Sequence, residues 1–301
     1  MPARDAGDGN GRAVHAELGD AGSAVRHAAS VLQRVFTTSG NPEWPGSLDW
    51  EAIETVGPLV HAGCRAWHRQ EVQGIERVPR GAGLIVGNHN AGITFIEILG
   101  MGAAWYAARG RADPIYSMAH DMMLKVPYLG NFLMHCGALR ADPEQGLAAL
   151  RAGAKVLVCP GGNLEAFRPY AMRHRVDLAG RKGFLKLAIR ARAPICPVVF
   201  VGGHSSFVVL RDGREVVRLL GLKRLLRVDT WPLTLCLPWG VALGPVFHLP
   251  LPVKCVTRFL EPVSLAGYRP RDAKDPAALA ELYDRVVGHM QAGMDAVVRE
   301  M

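Results

Sequence analysis

An imidazole and a carboxylate eight positions apart, His89 and Glu97, are the pair in this chain whose types and setting fit acid–base chemistry. His89 follows a short apolar run, Leu84-Ile85-Val86, which Gly87 breaks just before Asn88. That pattern predicts a buried strand ending at the histidine. From Ala91 to Ala108 the chain is almost wholly apolar, and its one formal charge is Glu97, so a buried helix is expected there. A carboxylate in such a helix is costly unless something pairs with it, and His89 is the nearest partner. A general base with an orienting acid needs this arrangement. On a straight helix, however, eight residues separate the two side chains by roughly 80°, so a loop between Asn90 and Gly92 must correct the angle. The same residues also fit a plain loop histidine beside a partly exposed glutamate.

A second cluster follows another apolar run, Lys155 to Cys159: Pro160-Gly161-Gly162-Asn163-Leu164-Glu165-Ala166-Phe167-Arg168. Paired glycines allow a backbone to approach a ligand closely, with Glu165 and Arg168 projecting into the same region. A strand-to-helix turn with a local ion pair three residues apart fits equally. Gly203-His204-Ser205-Ser206-Phe207 nearly spells a nucleophile elbow, but Phe207 stands where the tight turn needs a small residue, which argues against a serine hydrolase. Arg218 to Arg227 places Leu219, Leu222 and Leu226 on one helical face, with Arg218, Lys223, Arg224 and Arg227 around it. Such a segment can lie on an anionic membrane or pack on its own domain with its charges solvated.

The elements that must position these residues follow from periodicity and breaks. Residues 1 to about 22 are rich in Gly, Ala and Asp and are expected to be disordered. Ala24 to Phe36 has helical spacing, and residues 1–46 form an N-terminal extension to a domain at 47–301. Asp49 caps a helix to about Trp67. Strands are expected at Gln70–Ile75, 84–86, Pro114–Met118, Gly137–Arg140, Lys155–Cys159 and Ile195–Val201. Helices come between them, at Asp121–Met134 with a break at Pro127, Pro143–Ala152 and Lys182–Ala191. This alternation predicts an α/β fold: a mostly parallel central sheet with helices on both faces. Ligands in such sheets bind outside the carboxyl ends of the strands, where His89, Arg140, the Pro160-Gly161-Gly162 turn and Gly202-Gly203 fall.

At 301 residues and 49% hydrophobic content the chain can bury a sizeable core. An excess of 35 Lys and Arg over 27 Asp and Glu points to anionic partners. With 7% aromatic residues and no basic–aromatic interleaving, nucleic acid is not among them. The six cysteines stand singly in apolar surroundings, as core residues of a reducing compartment do, and no metal-ligand spacing occurs. No leader pattern opens the chain, so a cytoplasmic location is expected. The longest uncharged run, Thr230 to Val253, is interrupted by five prolines, which excludes a continuous membrane-spanning helix.

Taken together, four blocks across residues 68 to 265 resemble the glycerolipid acyltransferase superfamily, in particular its diacylglycerol-acyltransferase-like and lysophospholipid acyltransferase branch. They are Gly87-Asn88-His89; Gly137-Ala138-Leu139-Arg140; Pro160-Gly161-Gly162 through Glu165 and Arg168; and Arg181 to Ala188 leading to Pro194-Ile195-Cys196-Pro197-Val198. The resemblance implies a glycerol-3-phosphate acyltransferase-like fold and an O-acyltransferase with His89 as base and Glu97 as orienter. Acyl-CoA or acyl carrier protein would be co-substrate, without cofactor or metal. It also implies backbone N–H groups near Gly161 and Gly162 on the oxyanion, and Arg140 and Arg168, with the Gly161-Gly162 turn and Glu165, as contacts for a lipid acceptor. A protein of this kind would sit in the cytoplasm, peripherally on an anionic membrane surface; the sequence fixes no oligomeric state. The family's Asp, five to seven residues after the His, is replaced here by Thr94, Phe95 and Ile96. A catalytically silent lipid-binding protein and an acyl-thioester hydrolase therefore remain alternatives.

Overall fold

The computed structural model describes residues 9–226 and 228–301, with side chains except at 9–21 and 225–226. The disorder expected for residues 1–8, and Arg227 of the basic segment, lie outside the described residues. Helix α1 spans Gly9–Thr37 rather than starting at Ala24, so the chain expected to be disordered to about residue 22 is helical from Gly9. Val31 and Val35 anchor it, buried against Ala52 and Phe132, and a helix once nucleated propagates at little cost. Asp49 accepts a hydrogen bond from the Ala52 N–H and opens α2 (Trp50–His68) as expected. Arg34 ties the two helices together through Asp49 and Glu51.

A short strand β1 (Glu71–Gln73) leads to β2 (Gly83–Gly87), every residue of which is buried. Then come α3 (Ile96–Arg109), β3 (Ile115–Ala119), and α4 (Asp121–Leu124) separated from α5 (Leu129–His135) around Pro127. The chain continues through β4 (Ala138–Arg140), α6 (Pro143–Arg151), β5 (Lys155–Val158), the single-turn α7 (Gly162–Ala166), α8 (Gly183–Ala191) and β6 (Ile195–Val201). Beyond this point the segment expected as one basic amphipathic helix is divided, because Gly221 takes φ +62° between α9 (Arg214–Leu219) and α10 (Leu222–Leu226), so Leu219 does not share a helix with Leu222 and Leu226. Strands β7 (Val208–Arg211), β8 (Leu233–Cys236), β9 (Gly240–Leu243) and β10 (Val256–Phe259) and helix α11 (Pro276–Glu300) are elements that periodicity had not marked out.

The central sheet has the order β1-β10-β6-β2-β5-β3-β4. The five strands from β6 to β4 run parallel, while β10 is antiparallel to β6 and parallel to β1. The period of two along β2 sends Leu84 and Val86 to one face and Ile85 to the other. On the first face α6, α8 and α11 bury Leu147, Leu185, Val286 and Met290. Met101 and Trp105 of α3 cover the second. The Pro-rich run, where no span was expected, supplies β8 and β9, which with β7 form a small antiparallel sheet of order β7-β8-β9. No helix among the described residues is long and apolar enough to cross a membrane.

Candidate active site

The strand β2 sits between β5 and β6 at the middle of the sheet, and its carboxyl end delivers Asn88, His89 and Asn90 into the region between these neighbours. Asn88 binds the Phe200 backbone in both directions, at 2.9 and 2.8 Å, and Asn90 donates to the same carbonyl at 2.8 Å. The loop around His89 is thereby fixed to β6.

The helix expected from Ala91 begins five residues later, at Ile96, and this shift resolves the angle between base and acid. Gly92 and Phe95 take left-handed conformations, φ +58° and +52°, and Thr94 donates through its backbone and its hydroxyl to the Ala91 carbonyl, at 3.2 and 2.7 Å. Glu97 consequently lies in the first turn of α3, where the helix dipole favours a negative charge. Its Oε1 is hydrogen-bonded to His89 Nδ1, leaving Nε2 for the cavity that His89 lines. Both side chains are buried. Burial works against a charged imidazole, but the Glu97 carboxylate, its hydrogen bond and the nearby Glu165 outweigh it and raise the His89 pKa above its ordinary value.

Other residues singled out from the sequence are placed differently. Glu165 and Arg168 were expected to face a ligand; the structure buries both and turns them onto the protein. Glu165 accepts from Arg168 at 3.1 Å, from the His89 backbone N–H at 3.0 Å and from the Asp177 N–H at 3.3 Å. Burial pushes its pKa up to about 7 against the pull of Arg168. The pair therefore holds the histidine's backbone from behind. Gly161 serves the same carboxylate: a Cβ there would lie 2.4 Å from Glu165 Oε2. Gly162 donates its N–H to the Cys159 carbonyl at 3.0 Å, which removes that group from the oxyanion role expected of it. Arg140, at the carboxyl end of the edge strand β4, is engaged by Glu43 at 2.9 Å and lies 3.8 Å from Asp121. Three strands away from β2 and held by carboxylates, it is not brought to the His89–Glu97 pair.

A cavity of about 1000 Å³ opens in front of His89. Its wall is mostly apolar, with Ile98, Leu99 and Met101 of α3, Phe167 from beyond α7, and Val56 and Val60 of α2. Toward the small sheet it is bounded by Arg181, Asp229, Thr230 and Pro245. Arg181 was noted only as the start of a helical block. It pairs with Asp229 at 3.1 Å, donates to the Pro160 carbonyl at 2.9 Å and is half-exposed, a cation in the cavity wall. The sequence gives no local signal for it, because the partner that places it is 48 residues away. Cys159 also lines the cavity, and burial, with the charges of Glu97 and Glu165, raises its thiol pKa well above the ordinary range. Ser205, at the serine position of the near-elbow, ends a single 3-10 turn (Gly203–Ser205) rather than standing at a strand-to-helix turn, and its neighbour Ser206 is buried with its hydroxyl donated to the Gly203 carbonyl at 2.6 Å. Among the described residues no group of three or more His, Cys, Asp or Glu is placed to hold a metal ion.

The family model described as Acyltransferase matches residues 69–201. An uncharacterized protein of Mycobacterium tuberculosis is 32% identical over 232 residues, covering 77% of this chain and 62% of that protein. The DGAT1/2-independent enzyme synthesizing storage lipids of Mus musculus is 32% identical over 151 residues, covering 50% of this chain and 44% of that one. The chain thus spans less than two thirds of the length of these relatives. Among solved structures, the 1-acyl-sn-glycerophosphate (LPA) acyltransferase PlsC from Thermotoga maritima shares the fold, with a TM-score of 0.50 and 17% identity over 89% of this chain and 88% of that one. The matched residues 69–201 hold β2 with its buried histidine, the Pro160-Gly161-Gly162 turn and the parallel core of the sheet, so the part of the chain that is similar to the Acyltransferase family is the part that carries the site.

Proposed function

We propose that the protein is an O-acyltransferase that moves a fatty acyl group from acyl-CoA, or from acyl carrier protein, to a hydroxyl of a lysophospholipid or other glycerolipid. The single observation that carries this reading is the buried His89–Glu97 hydrogen bond at the wall of a large, mostly apolar cavity. Neutral His89 takes the acceptor's hydroxyl proton on Nε2 as the oxygen attacks the thioester carbonyl. Glu97 holds the tautomer and offsets the charge of the imidazolium, which returns the proton to the departing thiolate. The apolar wall receives the acyl chain. Arg181, rather than Arg140 or Arg168, is the cation available in the cavity wall for a phosphate of donor or acceptor. No metal or prosthetic group takes part. The protein acts in the cytoplasm at an anionic membrane surface, with Arg218, Lys223 and Arg224 facing the lipid.

A catalytically silent lipid-binding role rests on the missing aspartate, and a glutamate bound to Nδ1 weakens that ground. The test is transfer of radiolabelled acyl-CoA to lysophospholipid and diacylglycerol acceptors by wild type and His89→Ala. Loss of a positioned base is expected to lower transfer by about 10²–10⁴-fold; undiminished transfer overturns the mechanism. Free fatty acid accumulating in place of acylated lipid would identify an acyl-thioester hydrolase.

A further inference from the structure

The small sheet has two apolar faces and only one is covered. Thr234 and Cys236 of β8 and Val209 of β7 turn inward, where Phe167 and Phe207 pack against them. The outward residues should then be polar, as on most half-buried antiparallel sheets. They are Leu235, Val241 and Leu243, exposed by 47, 65 and 57%. Pairing makes them one patch. Leu235 stands opposite Val241 and Val208, Leu243 stands opposite Leu233, and Leu249 donates its N–H to Leu237 at 2.9 Å. At the hairpin tip the Trp239 indole donates to the Phe247 carbonyl, and both rings are about 60% exposed. With Leu237 and Leu249, 48 and 55% exposed, these side chains make one contiguous apolar patch of the kind that marks an interaction surface.

The surroundings identify the occupant. Between Val208 and Asp229 the sequence carries six Lys or Arg against three acids, and from Thr230 to Val253 it carries no formal charge. Arg214, Arg218 and Lys223 are more than half exposed on the segment joining β7 to β8. An uncharged apolar plate with an excess of cations beside it matches an anionic lipid bilayer: tails for the plate, headgroups for the cations. The plate also adjoins the cavity. Thr230 lies three residues before β8 and Pro245 two residues after β9, and both line the opening beside Arg181.

We propose that the outer face of the β7-β8-β9 sheet is a membrane-docking surface that inserts into an anionic bilayer and sets the cavity mouth against the lipid. The proposal rests on the acyltransferase reading only for the purpose of docking, since the surface itself is independent of His89. Because Thr230 and Pro245 at the flanks of this sheet line the cavity, docking there lets a lipid enter without crossing water.

The test compares wild type, Leu235→Ser/Val241→Ser/Leu243→Ser and His89→Ala on vesicles of phosphatidylcholine alone and mixed with phosphatidylglycerol. Wild type and His89→Ala should sediment with the anionic vesicles, and the triple variant should bind about tenfold more weakly or worse, with an unchanged unfolding midpoint. Brominated acyl chains should quench tryptophan emission in wild type, and Trp239→Phe should remove most of that quenching; this second readout stands if the triple variant does not fold. Equal vesicle binding by the triple variant, or no Trp239 quenching, overturns the proposal. So does a dimer that the serines dissociate and that binds no vesicles, which would make the face a protein interface. Vesicle binding by a wild-type protein that transfers no acyl group would overturn the proposed reaction and leave the docking surface standing.

Discussion

The eight-residue separation of His89 and Glu97 works because the intervening chain is not helical. The pair was legible in the sequence as a base and the first acid after it; the contact between them was not, since it depends on where α3 begins. Its chemistry gives a pH dependence with a definite sign. Only the neutral ring accepts a proton, and Glu97 and Glu165 raise its pKa above 6.5 against burial. The kcat/KM of the wild type should therefore climb with pH through that raised value and level off above it. In Glu97→Gln burial gains weight, so the acid limb should move to lower pH while the plateau falls by about 10²-fold or more. Rates measured across the pH range, with radiolabelled acyl-CoA, check both. The charged ring also stabilises the folded chain, a contribution complete below its ordinary pKa and lost as pH rises past the raised one. Glu165→Gln removes the carboxylate that Arg168 and the His89 N–H share. A buried guanidinium left without its counter-charge costs about 3–5 kcal/mol, which thermal unfolding should register as a lowered Tm. The sequence showed Glu165 and Arg168 as neighbours three apart, but not that they face inward, because the group they hold lies 76 residues earlier in the chain.

At the level of elements, the turn from β2 into α3 depends on Gly92. Its φ of +58° is strained for any side chain, and a Cβ there would come within 2.7 Å of Phe207 Cζ. Gly92→Ala should cost about 1–3 kcal/mol and displace Glu97 from the ring, measured as a lower urea midpoint together with a lower kcat. The parallel strands were readable because each is a short apolar run with a break at its end. The C-terminal helix α11 lies beyond the expected elements although it carries signals of its own: Asp275 caps it, Pro276 opens it, and Leu279, Leu282, Val286, Met290, Met294 and Val297 recur at three and four residues, all buried. Met290→Ala should therefore destabilise the protein by about 2–5 kcal/mol in chemical denaturation. The β7-β8-β9 sheet was hidden for a physical reason. Its strands are apolar on both faces, so alternation is absent and five prolines suggest only a broken run.

For the whole molecule, function and stability meet in the cavity between α2, α3 and the sheet. Gly102 lines it, and a Cβ there meets nothing within 4 Å. Gly102→Trp should fold, since tryptophan is a better helix residue than glycine by roughly half a kcal/mol, and should fill space that an acyl chain would use. Competition among acyl-CoA substrates is expected to shift toward shorter chains. The order of the central sheet carries one more consequence. The stretch matched by the Acyltransferase family model ends at β6, yet β10, which separates β6 from β1, arrives more than fifty residues later. Arg77 bonds to the Phe259 carbonyl at 3.0 Å, and α11 covers the face of β6. Excised as residues 69–201, the polypeptide would leave β1 unattached and the side of β6 bare, an open edge that invites self-association. Gel filtration of that excised piece should return aggregate where residues 47–301 elute as a defined species. The segment that carries the family pattern is smaller than the body able to hold its own shape.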